Sequence, residues 1–242
     1  IAAAAHIGPS SVVLWVLAVV FYFLPCALAV TELSTRFPGE GGYYLWTREA
    51  FGEFHAFACG WMAWWSNLVF FPNLALAIAG IWFGENRLLL LAGALAVFWL
   101  VIVAHLVGLR IGKWTQNVGG AATWLAGLLL IGAGLVVWTR HGSANAFTLD
   151  GWSFEKLNFG SQIALALVGI ELGAIMGAEV RRPQRDIPRA AFLSSFLIAG
   201  IFILGTAALL VLVPAGEVNV ITGIVQGVRI AGETPGALMA VL

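Results

Sequence analysis

Glu171 is the residue with the most chemistry to offer. It lies about halfway along an apolar run that ends before Arg181, within Val168-Gly169-Ile170-Glu171-Leu172-Gly173. A carboxylate at the bilayer centre costs about 2.5–3.5 kcal/mol on insertion scales, and such residues mark ion or substrate paths. Two readings of its surroundings stay open. Gly169, Gly173 and Gly177 recur every fourth residue, which suits a small-residue ridge for close helix packing. Gly169 beside a midplane carboxylate also suits a helix break, where freed backbone groups line a polar cavity as they do in secondary transporters. The two are compatible if Gly169 bends while Gly173 and Gly177 pack.

A second group comprises Trp64, Trp65, Asn67, Phe70, Phe71, Pro72 and Asn73. A proline in mid-run is expected to kink or loosen its helix. The asparagines need partners in lipid and are expected to face protein and bond between helices; aromatic side chains on a kinked helix could also wall a substrate pocket. Glu32 and Glu179, near the cytoplasmic ends of their runs, read as structural, and His105 reads as a packing histidine. Cys26 and Cys59 sit in apolar runs as small core residues, without a CxxC or Cys/His cluster. No HExxH, GxSxG, Walker A or dinucleotide glycine motif occurs. The chain therefore reads as no enzyme, with no metal and no cofactor.

Helices in lipid must position these side chains. Hydrophobic residues make up 61% of the chain and charged ones 10%, with a mean hydropathy of +0.95. A soluble domain carries roughly 25% charge, so lipid must be the solvent for much of this surface. The formal net charge is zero, which argues against nucleic acid as a partner. A spanning helix needs about 20 mostly apolar residues. Such runs are predicted at Ser11–Thr31, Ala56–Phe83, Leu88–Leu109, Thr115–Thr139, Phe159–Ala178 and Ala190–Val213, with another opening at Gly236–Leu242. They are too long for buried strands and lack turn signals at strand spacing.

Loop charge orients the runs. Arg36, Arg48, Arg110, Lys113, Arg181, Arg182, Arg185 and Arg189 fall on one side, and only Arg87, Arg140, Lys156 and Arg229 on the other. The first side is cytoplasmic by the positive-inside rule. The segment before Ser11 is then extracytoplasmic. A chain that starts there, at Ile1 and without a signal peptide, is expected to have lost an earlier helix, with Ile1–Ala5 as its last turn. Tyr43, Tyr44 and Trp46, after the Pro38–Gly42 turn, suit an interfacial aromatic belt, or equally ordinary loop packing.

Two stretches carry a family resemblance: Ala29-Val-Thr-Glu-Leu-Ser-Thr-Arg36-Phe-Pro-Gly-Glu-Gly-Gly42-Tyr-Tyr-Leu-Trp-Thr-Arg48-Glu-Ala-Phe-Gly52, and Val168-Gly-Ile-Glu171 followed by Ala178-Glu-Val-Arg-Arg-Pro183-Gln-Arg-Asp186-Ile-Pro188-Arg. Together they resemble the second helix with its cytoplasmic loop, and the sixth helix with its exit loop, of the amino acid–polyamine–organocation superfamily of transporters. Gln116-Asn117 is a weaker third match. The resemblance covers essentially the whole chain. It implies an all-α fold of two inverted five-helix repeats, with helices one and six broken at the midplane. This chain would then be one transporter domain, residues 1–242, running from the end of helix one to the start of helix eight and incomplete at both ends.

By the same resemblance, the protein is expected to be a multi-pass protein of the plasma membrane that moves amino acids or related amines by alternating access. A transporter-like sensor or accessory subunit, binding without transport, is the alternative. The resemblance assigns the substrate ammonium to the backbone of Leu167, Val168, Gly169 and Ile170 and gating or coupling to Glu171. It places Trp64, Phe71 and Leu74 on a pocket-lining helix. Leu165 stands where some members have a gating aromatic. Proton-coupled members carry a lysine shortly after the Gln-Asn pair, where this chain has Ala121, Ala122, Thr123 and Trp124. That departure favours exchange or another coupling mode.

Overall fold

The computed structural model describes all residues except 85, 107, 108, 149–153, 176, 178, 179 and 234–242, with the side chains of 105, 109–112 and 154–157 also outside it. His105, Arg110, Lys156, Glu179 and the run at Gly236–Leu242 therefore fall outside the described residues or side chains. Among the described residues the regular elements are helices, and five of them are long and apolar enough to cross a membrane: Ser10–Arg36, Glu53–Phe83, Arg87–Ala104, Lys113–His141 and Pro183–Leu212. Five of the six complete predicted runs thus appear as single helices. The run at Phe159–Ala178 does not, for reasons given by its backbone below.

The chain opens with α1 (Ala2–His6), and the first span joins α2 (Ser10–Ala18) to α3 (Leu24–Arg36) through a π-helical turn at Val19–Phe23. A short helix, α4 (Tyr43–Phe51), follows the Pro38–Gly42 turn and leads into α5 (Glu53–Phe83). Next come α6 (Arg87–Leu106), α7 (Leu109–His141), α8 (Phe154–Ala166), the single turn α9 (Leu172–Ile175), α10 (Pro183–Leu212) and α11 (Gly223–Glu233). Helix α10 is the hub. It packs on α3, α7 and α2, while α5 packs on α4 and α6.

Three apolar clusters lie along α10. Ala5, Leu130, Leu209 and Val213 are buried at its C-terminal end, Trp15, Phe23, Ile163 and Leu167 at mid-height, and Val30, Trp46, Ala174 and Ile187 at its N-terminal end. Trp46 is thus buried under its loop, so for this residue the packing reading holds over the interfacial belt. The link after α7 is fixed by Asn145, whose Nδ2 donates to Leu210 O (2.6 Å) and Val213 O (2.8 Å) while its Oδ1 accepts from Ala215 N–H (3.0 Å).

Pro72 does not interrupt α5, which is helical on both sides of it. Among the described residues Asn67 and Asn73 do not bond between helices either: their amides donate to Ala63 O and Val69 O, each at 2.8 Å, one turn back on α5. A short amide side chain can meet its need in lipid from its own helix.

Helices α7 and α10 cross at Gly134. A methyl group there would lie 2.6 Å from Ala208 Cβ and 2.8 Å from Ala208 Cα. The backbones would have to part, at about 1–3 kcal/mol. Gly134→Ala is therefore expected to lower the thermal midpoint of the purified protein by several degrees, whereas Gly119→Ala, with open space around it, should leave it unchanged.

Candidate functional site

The predicted run at Phe159–Ala178 loses its helical hydrogen bonding after Ala166. Leu167 N–H and Val168 N–H reach back only three residues, to Ala164 O (3.0 Å) and Leu165 O (3.2 Å). Gly169 then adopts φ +124°, a conformation open essentially to glycine. Helix resumes at Leu172 for one turn, after Leu172 N–H has bonded Gly169 O (3.1 Å). The Glu171 side chain turns back, and its Oε2 accepts from Gly169 N–H at 3.1 Å. A carboxylate accepting a backbone N–H makes a charge-assisted bond, roughly twice as strong as a neutral one. Glu171 thus holds the turn that precedes it.

The turn leaves backbone oxygens free. Among the described residues, the carbonyls of Leu167 and Val168 accept no hydrogen bond. Beside them lies a cavity of about 620 Å³, bounded by Phe23 of the π-helical turn, by Leu167, Val168, Gly169 and Ile170, and by α10 from Asp186 to Phe202. At mid-height Trp15 stacks on Phe202, with ring centroids 4.7 Å apart. The side chains on the wall are mostly apolar. Asp186 supplies a carboxylate, and Ser194 a hydroxyl that donates to Ala191 O (3.1 Å). Glu171 lies outside the cavity lining.

The four backbone positions Leu167, Val168, Gly169 and Ile170 thus come together, with Glu171 bonded behind them. Trp64, Phe71 and Leu74 do not join them. They are about half exposed, at 53%, 52% and 47%, on α5, away from this cavity, with Trp64 stacked on Trp61 (5.3 Å). Leu165 is exposed one turn before the break. Phe23 and Asp186 are cavity residues that sequence reasoning missed. Phe23 carried no signal, whereas Asp186 was visible as a lone carboxylate among arginines at the start of a span.

The glycines divide by role. Gly169 bends the chain, and Gly173 lines the cavity with nothing within 4 Å of an added Cβ. Gly177 alone packs: a Cβ there would lie 3.0 Å from Gly39 O. The Pro38–Gly42 turn closes on the same stretch, with Gly41 N–H donating to Ile175 O at 3.1 Å. Tyr43, next along the chain and outside the spans, has its phenol pKa pushed up, first by burial and then by Cys59 and the Glu171 carboxylate. Among the described residues no three His, Cys, Asp or Glu side chains form a metal-binding group, and both cysteines are free thiols.

A family profile described as amino acid permease matches residues 1–241. An uncharacterized transporter of Legionella pneumophila is 32% identical over 239 residues, covering 93% of this chain and 52% of the relative. A probable agmatine/putrescine antiporter of Lactococcus lactis is 26% identical, covering 96% of this chain and 52% of the relative. A serine/threonine exchanger of Bacillus subtilis is 27% identical over 203 residues, 79% of this chain and 44% of the relative. The chain spans about half the length of these curated relatives. No solved structure matches.

Proposed function

The chain belongs to the amino acid permease family, and from that premise we propose that it is part of a secondary transporter exchanging amino acids or related amines across the plasma membrane. The whole protein would carry two inverted five-helix repeats and work by alternating access. The observation that carries this reading is the turn at Leu167–Glu171, where backbone carbonyls without a hydrogen bond among the described residues belong to residues that line a cavity. Carbonyl dipoles at such a break suit a cation. The Leu167 and Val168 oxygens would take the substrate ammonium, Gly169 and Ile170 would shape the turn, and Glu171 would couple its geometry to gating. Trp64, Phe71 and Leu74 would face the substrate path from α5 once the rest of the protein is in place.

Exchange is favoured over lysine-mediated proton coupling, because Ala121–Trp124 offers no lysine and the named relatives include an antiporter and an exchanger. A protonated amine is common to serine, threonine, agmatine and putrescine, the compounds in those relatives' names, and it is the group the carbonyls would read.

The test is counterflow in liposomes with the full-length protein that contains this chain. Saturable uptake of at least one labelled amino acid or amine, driven by the same compound inside, is expected. Folded, correctly inserted protein with no counterflow across a broad panel that includes those four compounds would overturn the reading. Thermal stabilisation by a ligand without counterflow would select a binding-only protein instead.

A further inference from the structure

The cytoplasmic end of α10 carries charge that the transport reading does not use. Arg181, Arg182, Arg185 and Arg189 are all exposed. Among the described residues none of the four pairs with a carboxylate, whereas Arg36 pairs with Glu32 (2.8 Å) and Arg48 with Glu49 (3.6 Å). The helix start adds to the field. Arg182 occupies the N-cap without a side-chain cap bond, and Pro183 follows it. The first turn carries the positive end of the helix dipole, although Arg185 N–H and Asp186 N–H already donate to Arg182 O. Asp186, on the adjoining flank, offsets part of this charge.

The arginines have a direction as well as a sign. At about 100° per residue, Arg185, Arg189, Phe192, Leu193 and Phe196 fall within an arc of about 100°, with Arg182 at the N-cap just before them. Ile187 and Ala191, on the opposite side, are buried. Phe192, Leu193 and Phe196 are exposed, at 55%, 62% and 56%. One face of α10 thus runs from guanidinium groups at the cytoplasmic end to bare aromatic and aliphatic side chains in the span. That sequence of chemistry matches an anionic phospholipid, with its phosphate at the interface and its acyl chains alongside the helix. Juxtamembrane arginines are drawn to the anionic cytoplasmic leaflet, and guanidinium groups grip phosphate oxygens in pairs.

We infer that this face of α10 is a binding site for an anionic phospholipid of the cytoplasmic leaflet, its phosphate held by Arg182, Arg185 and Arg189, with Arg181 beside them.

The probe is thermal unfolding of the purified full-length protein, titrated in detergent with phosphatidylglycerol, phosphatidylcholine or soluble glycerol phosphate. Phosphatidylglycerol should raise the midpoint by several degrees more than phosphatidylcholine, and glycerol phosphate should not raise it. Each arginine changed to glutamine should weaken the apparent phosphatidylglycerol affinity about fivefold. The triple variant R182Q/R185Q/R189Q should lose the preference. If the triple variant does not fold, R185Q and R189Q singly carry the test. R87Q and R229Q, on the opposite side of the membrane, should keep the preference. Equal response to both lipids in the wild type, or an undiminished preference in the arginine variants, overturns the proposal. Protection by glycerol phosphate alone would make this a free-phosphate site and also overturn it. None of these readouts depends on transport.

Discussion

Glu171→Ala is expected to lower counterflow by about tenfold or more, while Glu171→Gln falls between it and the wild type. Alanine removes the acceptor of the Gly169 N–H. Stranding a fully buried donor costs about 1–3 kcal/mol; this one is part-buried, so the lower half of that range applies, and about 1.4 kcal/mol of barrier is tenfold in rate. The loss falls on a turn whose residues line the cavity, so rate should fall further than stability. Glutamine keeps an oxygen in reach of the N–H but gives up the charge, and a neutral hydrogen bond is about half as strong. The comparison separates two roles. If Glu171 only props the turn, glutamine restores most of the rate; if its charge is sensed during gating, glutamine is as slow as alanine. Counterflow in liposomes, with the thermal midpoint as the folding control, gives the answer. Wild-type turnover in Glu171→Ala would show that the turn stands without it.

The largest stability effect is expected at Gly42. Its φ is +49°, and a Cβ there would lie 3.1 Å from Ile175 N and 3.2 Å from the Ala174 carbonyl carbon. These neighbours are backbone and cannot rotate away. A β-branched residue at positive φ adds strain of about 1–3 kcal/mol, and overpacking adds a similar amount. Gly42→Val should therefore destabilise by on the order of 3 kcal/mol, taking the two together. The Gly41–Ile175 hydrogen bond should open with it. Gly173→Ala is the contrasting case, with nothing within 4 Å of its added methyl, and should leave the thermal midpoint where it was. Equal midpoints for Gly42→Val and wild type would mean that the Pro38–Gly42 turn does not dock on Ala174–Gly177 in the membrane.

The spans were legible because run length and hydropathy are one-dimensional properties, and five of the six complete runs became single helices. The sixth run offered two readings of its glycine near a carboxylate, a packing ridge and a helix break, and left both open. What spacing alone could not do was divide the work among Gly169, Gly173 and Gly177. One takes a backbone angle, one lines space and one meets another loop, and only the last depends on residues far away in the chain. The asparagines of α5 misled for a related reason. Lipid demands that their amides be satisfied, but not that another helix satisfy them. Asp186 was visible among its arginines but gave no sign of the cavity, since a charge at a span's end reads as an interfacial residue whichever way it points.

The π-helical turn at Val19–Phe23 bears on all of this through angular phase. From Trp15 onward the buried residues of the first span are Trp15, Val19, Phe23 and Ala27, four apart, then Val30 and Ser34. In a regular α-helix a spacing of four overshoots a full turn by about 40°, so three such steps would carry Ala27 about 120° away from Trp15. The wide turn takes up part of that drift, because its hydrogen bonds close over five residues rather than four. Trp15 can then stack on Phe202 while Phe23 reaches the cavity wall and Val30 meets Ile187 below. The number of residues between Trp15 and Phe23 is therefore as much a determinant of the site as their identity: with one residue fewer, every side chain would be present and the lower half of the helix would face elsewhere.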